Sequence, residues 1–307
     1  MKPSLADRAE YYALRGGMAV LAAMPWPNAV SAGARVARLG YRPLGIRARV
    51  VEDQIAAAFP EWNRARVQRV ARAAYDNLGR VSVEAALLPS LGNAGVRALF
   101  DEESQWSELA RLHAAGRGVI LVTGHFGNWE LGAAYIAARG VPVDAIARRM
   151  TNPLFDRYLT ASRGRAGVTV LADSEAVRRV PRSLREGHVV GFVADQGLKG
   201  MASTFVPFFG RPAKTPRGPA VFALRLGVPV VFGTAVRLPS GRYRAVVEPI
   251  EIVDTGDRER DVDSVVAAYT AVLERWVREY PEQYFWHHRR WRRQPVPATA
   301  HAANSSE

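Results

Sequence analysis

Cysteine is absent from this chain of 307 residues. Its absence excludes disulfide bonds, thiol nucleophiles and thiolate metal ligands. The chain also lacks a His-Glu-x-x-His motif, and we therefore expect no metal site. The Gly-x-Ser-x-Gly elbow, the P-loop and the Gly-x-Gly-x-x-Gly turn are missing too. Their absence excludes the commonest serine hydrolases, nucleoside triphosphatases and dinucleotide-binding enzymes.

Long uncharged apolar runs are missing as well. No stretch of about 18 such residues occurs, so the sequence predicts no clear transmembrane helix. Residues 1–35 instead predict a helical segment that interacts with a membrane, because apolar and aromatic side chains are flanked there by Lys2, Arg8 and Arg15. An amphipathic helix packed on the protein core explains the same pattern equally well.

Acidic residues are too few to balance the basic ones. The 29 Asp and Glu residues face 42 Lys and Arg residues, which gives a formal net charge of +13. Such a charge attracts nucleic acid, anionic lipid or acidic proteins without choosing among them. No helix-turn-helix, RNA-binding or finger pattern accompanies the charge, and we expect no nucleic acid partner. A non-enzymatic basic protein that binds nucleic acid or lipid is the alternative from a different functional class.

Two patterns divide the chain. Up to about residue 95 apolar residues recur at intervals of three and four, which predicts helices. From residue 118 strands alternate with helices, which predicts an α/β fold with a central, mostly parallel or mixed sheet flanked by helices. We expect residues 36–294 to form one domain and residues 295–307 to be a disordered tail. The predicted strands are 119–122, 143–146, 168–171, 189–193, 228–234 and 244–247, and the predicted helices are 129–139, 153–165, 175–186, 217–226 and 262–280.

The segment from His125 to Glu130 carries the strongest chemical signal, because it begins where the first predicted strand ends. Histidine is well suited to accept a proton near neutral pH, and a nearby carboxylate can orient its ring. On one straight helix the two side chains would point about 140° apart. They can meet only if His125 lies in a loop and Glu130 in the first turn of the next helix, a bend that Gly124 and Gly127 permit. A satisfied polar pair or a capped helix start is the ordinary alternative.

Other polar side chains follow the ends of strands, where open α/β sheets gather their ligands. Arg148 follows the second predicted strand, and Asp195 and Gln196 follow the fourth. Arg163 lies near the end of a predicted helix and Arg217 at the start of another. Dipole partners and turn residues are the ordinary explanation of such positions. We interpret the five residues together as candidates for substrate binding or for support of activity.

An aromatic segment completes the candidate site. The residues around Phe205, Phe208 and Phe209 are too rich in proline and aromatic side chains for a regular element. The three phenylalanines are therefore candidates for the lining of an apolar channel, although most such segments belong to a core. An apolar slot, cationic groups for an anionic headgroup and a histidine base would then share one edge of the sheet.

Several of these segments also occur together, with the same order and spacing, in one known family. They are Ala58-Phe59-Pro60, the Asn-Leu-Gly-Arg of residues 77–80, Glu84, residues 125–130, residues 148–156, Asp195-Gln196, residues 206–210 and residues 281–291. The set resembles the bacterial late acyltransferases of lipid A biosynthesis. That family is part of the lysophospholipid acyltransferase-like group, which also contains phosphatidylinositol mannoside acyltransferases.

The resemblance implies an acyltransferase-like fold and an enzyme on the cytoplasmic face of the inner membrane, held peripherally or by its N-terminus. Such an enzyme moves a fatty acyl chain from acyl carrier protein, or from coenzyme A, to a hydroxyl of a lipid A precursor. His125 would be the general base and Glu130 its orienting partner, and Arg163 and Asp195 match two further positions that the family needs. No metal or prosthetic group is implied, because the thioester is a co-substrate.

The resemblance also implies three partners, namely acyl carrier protein, anionic membrane lipid and a glycolipid acceptor. One departure concerns the acceptor. The sequence Glu52-Asp53-Gln54-Ile55 stands where the family usually has an Asn-Leu pair. A phosphatidylinositol mannoside or another lysolipid is therefore the alternative acceptor.

Overall fold

A layer of helices precedes the first strand, as the sequence predicts. The computed structural model describes residues 3–197 and 200–295. Side-chain caps begin two of the helices, since Ser4 forms a capping box with Asp7 and Asn63 accepts a hydrogen bond from the backbone of Arg66. These helices are α1 (Leu5–Ala22), α2 (Trp26–Tyr41), α3 (Ala48–Ala58), α4 (Arg64–Leu87), α5 (Gly92–Ala98) and α6 (Ser107–Ala114).

A six-stranded sheet forms the centre of the molecule. Its strands are β1 (Val119–Thr123), β2 (Val143–Ala147), β3 (Val168–Ala172), β4 (Val189–Val193), β7 (Val230–Arg237) and β8 (Tyr243–Ile250). Their order across the sheet is β3-β2-β4-β1-β7-β8. The first five pair in parallel, and β8 joins the edge antiparallel to β7. The predicted α/β fold with a mostly parallel sheet is therefore confirmed. The connecting and flanking helices are α7 (Trp129–Ala138), α8 (Pro153–Arg165), α9 (Ala176–Arg185), α10 (Gly218–Leu226) and α11 (Arg258–Glu279).

The aromatic segment was wrongly predicted to be irregular. It forms an antiparallel hairpin of β5 (Ser203–Phe208) and β6 (Arg211–Pro216), turned by Phe209 and Gly210 at positive φ. Pro207 lies directly opposite Pro212. Neither proline has an N–H to donate, so a pair that exchanges no hydrogen bonds suits both of them. The two prolines thus fit the hairpin without interrupting it.

The two faces of the sheet form separate parts of the core. Every residue of β1 is buried, as expected for a parallel strand with helices on both sides. Ile120 and Val122 belong to the cluster that includes α11, whereas Val119 and Leu121 belong to the cluster that includes α6. An open cavity lies within the second face.

Helix α1 is the least enclosed part of the helical layer. It has no buried residue, and Leu5, Tyr12 and Val20 are exposed on it. Tyr11 packs on Phe155 and Tyr158 of α8, which joins α1 to the sheet domain. None of the described helices combines the length and the apolar character that crossing a membrane requires. The interaction of residues 1–35 with a membrane stays a prediction, and the predicted tail beyond Pro295 lies outside the described residues.

The close approach of α2 and α4 provides a test of this packing. A Cβ atom at Gly79 would lie 2.2 Å from the carbonyl oxygen of Gly33. We expect Gly79→Ala to lower the free energy of unfolding by about 1 to 3 kcal/mol, as overpacking does. The matched control is Gly16→Ala in α1, where nothing lies within 4 Å and better helix propensity should add up to about 1 kcal/mol. Denaturant unfolding measures both, and equal effects would contradict the packing described here.

Candidate active site

The loop after β1 carries His125 and is fixed along its backbone. Phe285 donates its N–H to the carbonyl oxygen of His125 at 2.9 Å. Gly127 donates to the carbonyl oxygen of Gln283 at 3.0 Å, and Asn128 donates to that of Ala235 at 2.8 Å. The C-terminal segment and β7 therefore hold opposite sides of the loop. Because these donors are already used, the Gly127 and Asn128 amides are not free to bind a substrate oxygen.

Gly127 is required at its position. Its φ is +60°, and a Cβ atom there would lie 2.2 Å from the carbonyl oxygen of Ala235. Both the conformation and the space favour glycine. The chain then enters α7, with the Asn128 side chain accepting a hydrogen bond from Leu131 N as its cap. His125 thus lies in a loop and Glu130 in the first helical turn, the arrangement that the spacing predicts.

The carboxylate bound to His125 is Asp195. Its Oδ1 atom lies 2.7 Å from His125 Nδ1. Since an ionised carboxylate can only accept, Nδ1 carries the proton and Nε2 is the nitrogen available to a substrate. The sequence predicted that Glu130 would orient the His125 ring, and this prediction is wrong because Asp195 occupies that position. Asp195 follows β4, which pairs with β1 in parallel, so both side chains emerge at the same edge of the sheet.

Glu130 binds a different partner. Arg163 of α8 donates from Nε and Nη2 to its two carboxylate oxygens at 2.9 and 2.6 Å. Such a bidentate pair fixes both side chains in place. The structure thus assembles four of the predicted residues, but as His125 with Asp195 and Glu130 with Arg163. Gln196 lies beside His125, with its side-chain nitrogen 3.1 Å from Nδ1, but this amide nitrogen finds no acceptor there because Nδ1 donates to Asp195.

The charges around His125 favour its protonated form. Burial alone would lower the pKa of His125, but the charge and hydrogen bond of Asp195, with a weaker contribution from Glu130, outweigh it and raise the pKa above 6.5. Burial opposes ionisation of Asp195 as well, yet His125 and then Arg290 hold the pKa of Asp195 below its usual value. A proton taken up by His125 is therefore stabilised, as a general base requires.

Arg290 belongs to a basic cluster near the C-terminus, residues 289–293, and is buried. It donates to the carbonyl oxygen of Lys214 and to the hydroxyl of Thr215. Its neighbour Trp291 is also buried, and its indole N–H donates to the carbonyl oxygen of Phe208. This part of the basic cluster therefore stabilises the interior behind Asp195 and is not a solvated surface.

A cavity of about 400 Å³ opens beside His125 and runs between the sheet and α7. Polar groups lie at one part of its wall, where His125, Glu130, Arg148, Arg163 and Gln196 all line it. The remaining wall is mostly apolar. It is formed by Trp106 and by side chains of α7 and of the second sheet face, among them Leu121, Ile136, Val168, Val189 and Val247. A polar, solvent-accessible mouth that contains His125 and Arg148 thus leads into an apolar interior.

The expected lining by phenylalanines is wrong. Phe208 and Phe209 are buried in the other core cluster, and none of the three lines the cavity. Phe205 is partly exposed on β5, because the alternation of the hairpin turns it away from Phe208. Arg217 is not brought to the cavity either, since Glu259 holds it at 2.8 Å. Phe208 and Phe209 thus belong to the core, and Arg217 belongs to an ion pair.

Several cavity residues escaped the sequence interpretation. Trp129 packs edge-on against the His125 ring, with centroids 4.9 Å apart. Gly191 and Val193 line the cavity from β4, and Trp106 from the residue before α6. The alternation along β4 could have indicated one lined face, but no local signal marks Trp106. Among residues 3–197 and 200–295, no group of three or more acidic or histidine side chains is arranged to hold a metal ion.

Comparison with known proteins adds independent information. A family described as bacterial lipid A biosynthesis acyltransferase matches residues 3–293. The chain is 27% identical over 274 residues to the lipid A biosynthesis lauroyltransferase of Escherichia coli strain K12, covering 89% of this chain and 88% of that protein. The palmitoleoyltransferase of the same strain is 26% identical over 275 residues, again 89% and 88%. A phosphatidylinositol mannoside acyltransferase of Mycobacterium tuberculosis strain ATCC 25618/H37Rv is 28% identical over 161 residues, half of each chain.

The bond between His125 and Asp195 can be tested by titration. We expect the pKa of His125 to lie above 6.5 in the unaltered protein and to fall in Asp195→Asn, because burial then acts without its opposing charge. NMR titration of the imidazole signals measures this shift. The control is Asp144→Asn, which removes the carboxylate 3.0 Å from His188 and should leave the His125 titration unchanged. An unchanged His125 pKa in Asp195→Asn would contradict the assigned pair.

Proposed function

Because the chain belongs to the bacterial lipid A biosynthesis acyltransferase family and is an acyltransferase, we propose that it moves a fatty acyl chain from a thioester to a hydroxyl of a lipid A precursor. The observation that carries the proposal is the position of His125 at the polar mouth of an apolar cavity, with Asp195 on its Nδ1 atom. The mouth supplies the base and the interior accommodates the acyl chain.

The reaction needs no covalent intermediate on the protein. His125 Nε2 takes the proton of the acceptor hydroxyl while the hydroxyl oxygen attacks the thioester carbonyl carbon. The carbon–sulfur bond of the resulting tetrahedral intermediate then breaks, and the imidazolium returns its proton to the departing sulfur. The products are an ester and a free thiol. Asp195 keeps the ring in the required tautomer and stabilises the imidazolium between the two steps.

Glu130 and Arg163 have a separate role in this proposal. Glu130 adds negative charge near the imidazolium and fixes the guanidinium of Arg163 through two hydrogen bonds. The N–H groups of Arg163 that these two bonds do not use would bind a substrate oxygen, either that of the tetrahedral intermediate or that of an acceptor phosphate. The proposed general base is therefore the His125–Asp195 pair, supported by a Glu130–Arg163 pair. It replaces the His–Glu dyad expected from the sequence.

The cavity supports a fatty acyl substrate. Its mostly apolar wall favours a hydrocarbon chain, and filling it with that chain excludes water from the thioester. The donor would be acyl carrier protein or coenzyme A, and the thioester is a co-substrate with no other cofactor required. The net charge of +13 attracts a negatively charged donor, either the phosphates of coenzyme A or a carrier protein with an acidic surface.

The comparisons support a lipid A acceptor, and the surface of α1 supports a location at the membrane. Alignment with the two Escherichia coli lipid A enzymes covers 89% of the chain, whereas that with the phosphatidylinositol mannoside enzyme covers half, which favours a lipid A acceptor. We place the protein on the cytoplasmic face of the inner membrane, held by contact with anionic lipid. The exposed apolar side chains of α1, which packs on α8, support this placement.

Replacement of the base tests the reaction. We expect His125→Ala to reduce acyl transfer by roughly a hundredfold or more, because general base catalysis contributes about that much. Detergent-purified protein is incubated with acyl-acyl carrier protein or acyl-coenzyme A and with a lipid A precursor, phosphatidylinositol mannosides or lysophospholipids, and products are read by mass spectrometry. His188→Ala is the matched control, since His188 also binds an aspartate but lies outside the cavity. Equal activity of unaltered protein and His125→Ala would overturn the mechanism.

A substitution inside the cavity tests the acyl site. A Cβ atom at Gly191 would meet only the Asp144 carbonyl oxygen, 3.9 Å away, and would otherwise enter the cavity. We expect Gly191→Ala and then Gly191→Val to shift the preferred donor stepwise toward shorter acyl chains, because each added methyl group occupies space that the chain needs. Competition among donors of different length measures this shift. A uniform loss of rate for all chain lengths would place the acyl chain elsewhere.

A further inference from the structure

Glu84 is a buried carboxylate outside the cavity, and the reaction described above does not use it. It lies on α4, in the N-terminal helical layer, and its side chain is 1% exposed. Three donors converge on its Oε2 atom: Asn128 Nδ2 at 2.9 Å, Arg237 Nη2 and the Tyr243 hydroxyl. A buried carboxylate is costly unless it is paired and hydrogen-bonded. The cluster meets that condition, and one of its members belongs to the His125 loop.

Asn128 links Glu84 to the start of α7. The residue is completely buried, and its side-chain oxygen accepts the hydrogen bond from Leu131 N that caps the helix. Its side-chain nitrogen must then find an acceptor elsewhere, and Glu84 supplies it. An amide has two distinct ends, and Glu84 determines which of them faces the helix. The first turn of α7, with Trp129 and Glu130, is thereby fixed against α4.

Arg237 links Glu84 to the opposite side of the His125 loop. Its backbone N–H donates to Gln283 Oε1 at 2.9 Å, and Gln283 Nε2 donates to its carbonyl oxygen at 2.8 Å. The backbone oxygen of Gln283 in turn accepts from Gly127 N at 3.0 Å. Glu84 therefore acts on both sides of the loop, through Asn128 on one side and through Arg237 and Gln283 on the other.

We propose that Glu84 is a positioning residue for His125, holding the loop and the start of α7 in the geometry in which the base meets its substrate. The inference rests on the proposed function only in taking His125 as the base. Small displacements of a catalytic group are expensive, since an error of about 1 Å can reduce a rate by roughly a hundredfold. Through Glu84, one residue of the helical layer would in this view affect the rate without touching the substrate.

Relocation of the charge tests the proposal. Glu84→Gln leaves the Arg237 guanidinium without its carboxylate, and Asn128→Asp places two carboxylates together. We expect each to lower kcat by roughly ten- to a hundredfold with little change in KM. The double variant Glu84→Gln/Asn128→Asp moves the carboxylate to position 128, where an aspartate still caps α7 and the amide introduced at position 84 can donate to it. It should recover most of the lost kcat.

Two further variants separate positioning from stability. Asp76→Asn removes another carboxylate of α4, which pairs with Arg38 and does not contact the loop. We expect it to lower the melting temperature without reducing kcat. Asn128→Ser keeps a helix cap and leaves Glu84 and Arg237 paired, but it cuts the link to the loop. Asn128→Ser should have a lower kcat but lose less stability than Glu84→Gln. It replaces Glu84→Gln as the test variant if Glu84→Gln does not fold.

Hydrogen exchange of the peptide that spans residues 124–128 gives a readout independent of activity. We expect faster exchange there in Glu84→Gln and Asn128→Ser, but not in Asp76→Asn. If the unaltered protein transfers no acyl chain to any acceptor, the proposed function fails and the exchange data alone judge the role of Glu84. Unchanged exchange in this peptide, or a double variant no better than the weaker single one, would overturn the proposal.

Discussion

The hydrogen bond between His125 and Asp195 is the interaction on which the rest of the site depends. Asp195 is almost fully buried, and a carboxylate in that position is stable only beside compensating donors and charge. His125 supplies the hydrogen bond, and Arg290 lowers the pKa of Asp195 from the other side. The same bond determines which imidazole nitrogen faces the cavity. A single contact thus fixes the ionisation of one residue and the tautomer of the other.

That contact follows from the parallel sheet. β1 and β4 are neighbours that run in the same direction, so the residues after each of them meet at one edge although 70 positions separate His125 from Asp195. The loop itself is then held by segments distant in sequence, β7 at Ala235 and the C-terminal segment at Gln283 and Phe285. The fold therefore contributes more to the position of His125 than the local motif does.

The sequence predicts what is local and misses what depends on neighbours. Apolar runs and turn residues located all six strands of the main sheet, and the spacing from His125 to Glu130 placed them correctly in a loop and a first helical turn. The choice of Asp195 as the partner of His125 could not be read from spacing, because it depends on the strand order of the sheet. The hairpin around Phe208 was missed for a similar reason, since the pairing that accommodates its prolines is visible only between two strands.

The cavity depends on side chains that are small. Gly191 lines it from β4, and Gly132 and Ala133 line it from α7, at positions where larger residues would fill the space between helix and sheet. An apolar space left unfilled forfeits packing energy, at roughly 24 cal/mol for each cubic ångström by comparison with engineered cavities. Folding alone would favour larger residues here, because the strands are otherwise rich in valine and phenylalanine. A space of about 400 Å³ beside His125 is therefore in keeping with the proposed acyl substrate, whose hydrocarbon chain suits the mostly apolar wall.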